Sequence, residues 1–126
     1  MAKLSDAQFS ERDKLMHLST RADYVHFDCL GLSTCDALIA AGLMDPEQTQ
    51  NESPTVSEFV DFMRKHPGAL AHGYTIGGGR DDARVSIEGL TVGRQHVNSG
   101  LLTDFVNSFR HADEFSIDPG LRCWWD

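Results

Sequence analysis

The sequence is short of the features that mark a membrane, metal or nucleic-acid protein. No stretch approaches 18 consecutive apolar residues, so no membrane-spanning helix is expected. The three cysteines, Cys29, Cys35 and Cys123, form an odd set without a C-x-x-C pair, and no two of the six histidines stand in an H-x-H or H-E-x-x-H spacing. Those absences argue against a disulfide framework and against the common zinc signatures. No metal or cofactor is expected. The opening Met-Ala-Lys-Leu-Ser-Asp lacks the apolar core of a signal peptide, so the chain reads as cytoplasmic, with free thiols.

Positive charge is also scarce. Nineteen acidic residues outnumber eleven basic ones, giving a net charge of −8 and a pI near 5.0. The excess is spread along the chain: residues 1 to 56 carry 4 basic and 9 acidic groups, residues 57 to 126 carry 7 and 10. A surface of this kind does not suit nucleic acid or an anionic membrane, both of which need a basic footprint; it suits a basic protein partner better. Eight of the eleven basic residues are arginine, whose rigid fork suits bidentate contact with carboxylate or phosphate.

What is present describes one small domain. At 126 residues, with 40% hydrophobic and 24% charged residues, the chain has the composition of a globular protein that needs no staple. It divides into an N-terminal helical part, residues 1 to 44, a polar loop, 45 to 54, and a helix, hairpin, helix and strand part, 55 to 126. Ser5 followed by Gln8 has the pattern of a capping box and opens a helix from about residue 6 to 20. The stretch 22 to 30 reads two ways. Val25, Phe27 and Cys29 alternate with Tyr24, His26 and Asp28 as in a strand, whereas Leu18, Ala22, Val25 and Cys29 continue a helical stripe. Nothing there breaks a helix, so helix is the expectation.

Ser33 and Asp36 open a short helix over 34 to 41, with Gly42 as its left-handed stop. The loop that follows is nearly devoid of apolar side chains and reads as solvated. Thr55 and Glu58 form a second capping box, and Val56, Phe59, Val60 and Met63 place an apolar stripe on a helix ended by Pro67-Gly68. Another stripe, Leu101, Leu102, Phe105, Val106 and Phe109, marks a helix aligned with the first at an offset of 46 residues. Each of the two is followed by strand-like sequence, which suggests two helix-hairpin units sharing one sheet.

The clearest element is the hairpin over about 69 to 92, joined to C-terminal strands over about 114 to 125. The fold class expected is therefore α+β, a small antiparallel sheet covered on one face by helices. Val85 and Ile87 point one way while Arg84, Ser86 and Glu88 point the other, and the phase slips at Gly89, as at a β-bulge. In the partner strand either Ala69, Ala71, Gly73 and Thr75 or Leu70, His72, Tyr74 and Ile76 face the core. Leu121, Cys123 and Trp125 lie opposite Arg122 and Trp124, and at least one of the two tryptophans belongs to the core.

The chemistry on offer is sparse. Gly77-Gly78-Gly79-Arg80 resembles a phosphate nest in composition, but it leads into a strand where a phosphate loop leads into a helix, so an open hairpin turn is the better reading. Asp13, His17 and Arg21 recur every four residues and read as a solvated ridge. Nothing amounts to a catalytic motif. The candidate binding residues are Arg84, Glu88, Arg122 and Trp124 on a wet sheet face, with Arg80, His72 and Tyr74 near it. The function expected is that of a non-enzymatic cytoplasmic protein binding a protein partner. The alternative is a small-anion binder or enzyme in which Arg80, Arg84, Arg122, His72 and Tyr74 converge.

Overall fold

A computed structural model describes residues 5–18, 24–77 and 82–126. Helix α1 (Asp6–Met16) leads to strand β1 (Tyr24–Leu30), helix α2 (Leu32–Ala40) and helix α3 (Val56–Lys65). Strands β2 (Ala69–Ile76) and β3 (Arg84–Val92), helix α4 (Ser99–Phe109) and the short strands β4 (Glu114–Ser116) and β5 (Leu121–Trp124) complete the chain. The strands form one five-stranded sheet of order β1-β2-β3-β5-β4, every neighbouring pair antiparallel. It is an α+β fold with helices on one face. The two helix-hairpin units, α3-β2-β3 and α4-β4-β5, meet in mid-sheet where β3 pairs with β5.

Local chemistry sets the helix ends. Both capping boxes form: Ser5 and Gln8 exchange side-chain and backbone hydrogen bonds at the start of α1, and Thr55 and Glu58 do so at α3. Gly42 follows α2 with φ of 75°, the left-handed conformation that glycine adopts without strain. Helix α2 begins earlier than expected, at Leu32, with Gly31 as its cap and Ser33 inside it. Helix α1 is shorter than expected. His17 turns left-handed at φ 56°, and a helix-stripe reading across residue 18 fails there.

The stretch expected to be helical near residue 25 is instead strand β1. Its backbone pairs with β2, Tyr24 opposite Ile76 and His26 opposite Tyr74, so long-range pairing decides between two periodicities that local sequence leaves equal. The solvated ridge is corrected at Asp13, while His17 is exposed as expected. Asp13 is buried beside the buried Arg12, whose Nη2 lies 2.5 Å from Asp13 Oδ1 and whose Nη1 donates to Thr75 Oγ1 on β2 at 2.9 Å. Arg21, the third member, lies outside the described residues.

The core lies between the sheet and the helices. It combines Val85, Ile87, Leu90 and Val92 of β3, Ala69 and Ala71 of β2 and Leu121 and Cys123 of β5 with the apolar faces of α2, α3 and α4. The small-residue face of β2 is the one the helices cover. Trp125 is 2% exposed and meets the rings of Phe59 and Phe109 at centroid distances of 5.6 and 6.0 Å. Burying a tryptophan of roughly 200 Å² contributes about 5 kcal/mol, which anchors the C-terminal strand against α3 and α4.

A bulge sets the phase of β3. Gly73 faces Ile87 and His72 faces Gly89, which leaves Glu88 as the extra residue. Its carbonyl accepts from Trp125 N at 2.8 Å. The slip lets Val85 and Ile87 before it, and Leu90 and Val92 after it, all reach the same core.

Candidate functional site

The second face of the sheet is polar, but it is less wet than the sequence suggests. Ser86, Glu88, His72 and Tyr74 are all buried. The cover is the 45 to 54 loop, expected to be solvated. Leu43 and Met44 just before it enter the core, and the chain then lays two glutamines over the sheet. Gln48 Nε2 donates to Ser86 Oγ at 3.0 Å, and Gln50 Nε2 to Glu88 Oε2 at 3.4 Å. Tyr74 donates its phenol hydrogen to Gln50 Oε1. A polar sheet face thus buries itself under polar side chains, each hydrogen bond offsetting part of the desolvation of its partners.

Two clusters result. In the first, Arg84 spans three acceptors: Nε donates to Ser86 Oγ at 3.2 Å, Nη1 to Asp82 O at 2.8 Å and Nη2 to Tyr74 Oη at 2.8 Å. Its guanidinium also lies 5.3 Å from the Tyr74 ring centre. A cavity of about 360 Å³ opens beside it, lined by Asp45, Gln48, Thr49, Gln50, Asp82 and Arg84.

The second cluster surrounds Glu88, which is 6% exposed. Trp124 Nε1 donates to Glu88 Oε2 at 3.3 Å, and Arg122 lies over the Trp124 ring at 4.9 Å from its centre. His72 stands edge-on to Trp124 at 6.3 Å, and its Nε2–H donates to Cys123 O at 3.0 Å. Burial, reinforced by the charge of Arg122, holds the His72 pKa below its ordinary value. His72 is therefore neutral at neutral pH and is fixed in one tautomer.

Strand β1 adds residues that the sequence reading did not single out. His26 Nδ1 lies 3.2 Å from Gly73 O and 3.8 Å from Glu88 Oε1, while its Nε2 meets Tyr24 Oη at 3.1 Å. With the Nδ1 hydrogen on the Gly73 carbonyl, Nε2 accepts from the phenol. Tyr24 stacks on Tyr74 at 5.4 Å with 54% of its surface exposed, and desolvation with the negative charge of Glu88 raises its pKa. The strand alternation of Tyr24, His26 and Asp28 was the available signal. For Gln48 and Gln50 it was the two-residue spacing alone.

The candidate residues thus fall into two groups. Glu88, Trp124, Arg122 and His72 form one, Arg84 and Tyr74 the other, and Gln50 bridges them through Tyr74 and Glu88. Arg84 sits opposite Ile76 and Arg122 opposite Thr91, so the two arginines are separated by roughly 20 Å of strand and do not converge on one pocket. Arg80, with Gly78, Gly79 and Asp81 of the glycine-rich turn, lies outside the described residues. Among the described residues no group of three or more His, Cys, Asp or Glu side chains is placed to hold a metal, and no helix is long and apolar enough to cross a membrane. No protein-family model, no curated protein and no solved structure matches the chain.

Proposed function

We propose that this is a non-enzymatic cytoplasmic binding protein that engages a protein partner through the Arg122 and Trp124 end of its polar sheet face. One observation carries the reading. The Arg122 guanidinium rests on the Trp124 ring, and that ring is fixed from below by its hydrogen bond to the buried Glu88. Both side chains are part-exposed, and among the described residues Arg122 has no carboxylate within ion-pair distance. A pre-positioned arginine and aromatic pair loses little entropy on binding and is of the type that anchors protein interfaces. The net charge of −8 argues against nucleic acid as the partner.

The alternative, a small-anion pocket near the hairpin, draws less support. Two aspartates line the cavity there, and Arg84 is already committed to three internal acceptors. Affinity capture from native lysate, repeated with Arg122→Ala, Trp124→Ala and the helix-side control Arg64→Ala, tests the reading. A partner retained by wild type and Arg64→Ala but lost from the other two supports it. An identical capture profile for all four proteins overturns it.

A further inference from the structure

Arg122 belongs to a second feature beyond its contact with Trp124. Where β3 ends and β5 begins, a cavity of about 310 Å³ opens with predominantly apolar walls that include Thr91, Gly93, Pro119 and Gly120. Arg94 and Arg122 stand at it from two different segments, together with the single carboxylate of Asp118. Among the described residues neither arginine makes a side-chain hydrogen bond or ion pair, whereas Arg12, Arg64 and Arg84 each have an acidic neighbour. Glu114 shares an adjoining hollow with Arg122 but is not within ion-pair distance of it. On a chain of net charge −8, this is a local site of excess positive charge beside an apolar recess.

The volume has room for a whole terminal residue, side chain and carboxylate together, and the arginines border the recess itself. The matching ligand therefore carries its carboxylate on the same residue as its apolar side chain. We propose that this cavity receives the C-terminal residue of a partner protein, the side chain lying in the recess and the terminal carboxylate held between Arg94 and Arg122. This rests on the binding reading above and names the chemistry of the partner. It also refines the overall acidity: a basic partner suits the surface as a whole, while this recess takes an anionic end. Guanidinium forks pair with carboxylates through charge-assisted hydrogen bonds, and the apolar recess supplies the selectivity for side chain over free anion.

The test uses the full chain, labelled for amide NMR and titrated with N-acetyl-leucine, N-acetyl-leucinamide and acetate. The expected result is saturable movement of the Gly93 and Gly120 amide signals with N-acetyl-leucine. The amide should bind about tenfold more weakly, as expected for loss of a charge-assisted contact, and acetate should not saturate. Arg94→Gln and Arg122→Gln should each weaken N-acetyl-leucine several-fold, and Arg94→Gln, whose arginine makes no side-chain hydrogen bond or ion pair among the described residues, should leave the thermal midpoint unchanged. Equal affinity for acid and amide, or no saturation by either, overturns the proposal. If that happens while partner capture still depends on Arg122 and Trp124, the cavity fails and the platform stands. Saturable, Arg94-dependent binding without any such capture supports the cavity and overturns the platform.

Discussion

Trp124 and Glu88 meet across the seam between β5 and β3, the indole Nε1–H donating to a carboxylate that the sheet and the 45 to 54 loop have enclosed. Gln50 donates to the same oxygen, so two donors converge on Glu88 Oε2. Glu88→Ala removes their shared acceptor and is expected to destabilise the fold by about 2 kcal/mol, the scale of hydrogen bonds to a charged acceptor. Glu88→Gln, which keeps an oxygen, should lose about half of that. Urea unfolding at constant m-value measures both. An alanine variant within about 0.5 kcal/mol of wild type would show that the pair is not structural.

His72 makes stability depend on pH in a definite direction. Its folded pKa is lowered, chiefly by burial and then by Arg122, below the unfolded value of about 6.5. As pH falls through that value the unfolded chain takes up the proton before the folded one does. Its contribution is therefore complete above about pH 6.5 and declines as the pH drops toward the folded pKa, levelling once the buried ring protonates. His72→Gln keeps a donor for Cys123 O but does not titrate, so the difference in urea midpoint between variant and wild type should shrink between neutral and mildly acid pH. A pH-independent difference would remove His72 as the cause.

The parts of this fold legible in the sequence are those decided by local chemistry. Ser5 with Gln8, Thr55 with Glu58 and Gly42 each act within one turn of chain, and each behaves as its residue type requires. The phase slip of β3 at Gly89 was visible because four apolar residues must reach one core. Strand β1 was not legible, because Val25 and Cys29 satisfy a helical and an extended period equally and only pairing with β2 separates them. The binding face was half legible. Alternation gave the direction of Arg84, Glu88, Arg122 and Trp124, but polar residues in a loop carry no sign that they will cover polar residues on a sheet. Gln48 and Gln50 do so, and they turn an expected wet face into a buried network with an exposed margin.

The cysteines should differ sharply in reactivity. Burial pushes the thiols of Cys35 and Cys123 up to about 12, whereas Cys29 is exposed on the edge strand β1. At mildly alkaline pH a disulfide reagent such as Ellman's should titrate one thiol rapidly in the folded chain and all three after denaturation. Cys29→Ser should abolish the fast phase. A fast phase that persists in that variant would mean that one of the two buried thiols is opened by local unfolding.

Two glycine-to-alanine changes should move stability in opposite directions. A Cβ at Gly89 would lie 1.8 Å from the backbone carbonyl oxygen of Cys123, at the β3 and β5 seam that joins the two helix-hairpin units. Neither strand can yield without breaking the register that aims Glu88 at Trp124, so Gly89→Ala should destabilise by about 3 kcal/mol. At Gly100, in the first turn of α4, the nearest atom is Asn98 Oδ1 at 3.4 Å, an ordinary contact. Alanine there reduces the freedom of the unfolded chain and should stabilise by about 0.5 kcal/mol. Thermal and urea unfolding of the two variants against wild type give the comparison. If Gly89→Ala proves as stable as wild type, the close packing of β5 on β3 is wrong, and the anchoring of Trp124 by Glu88 falls with it.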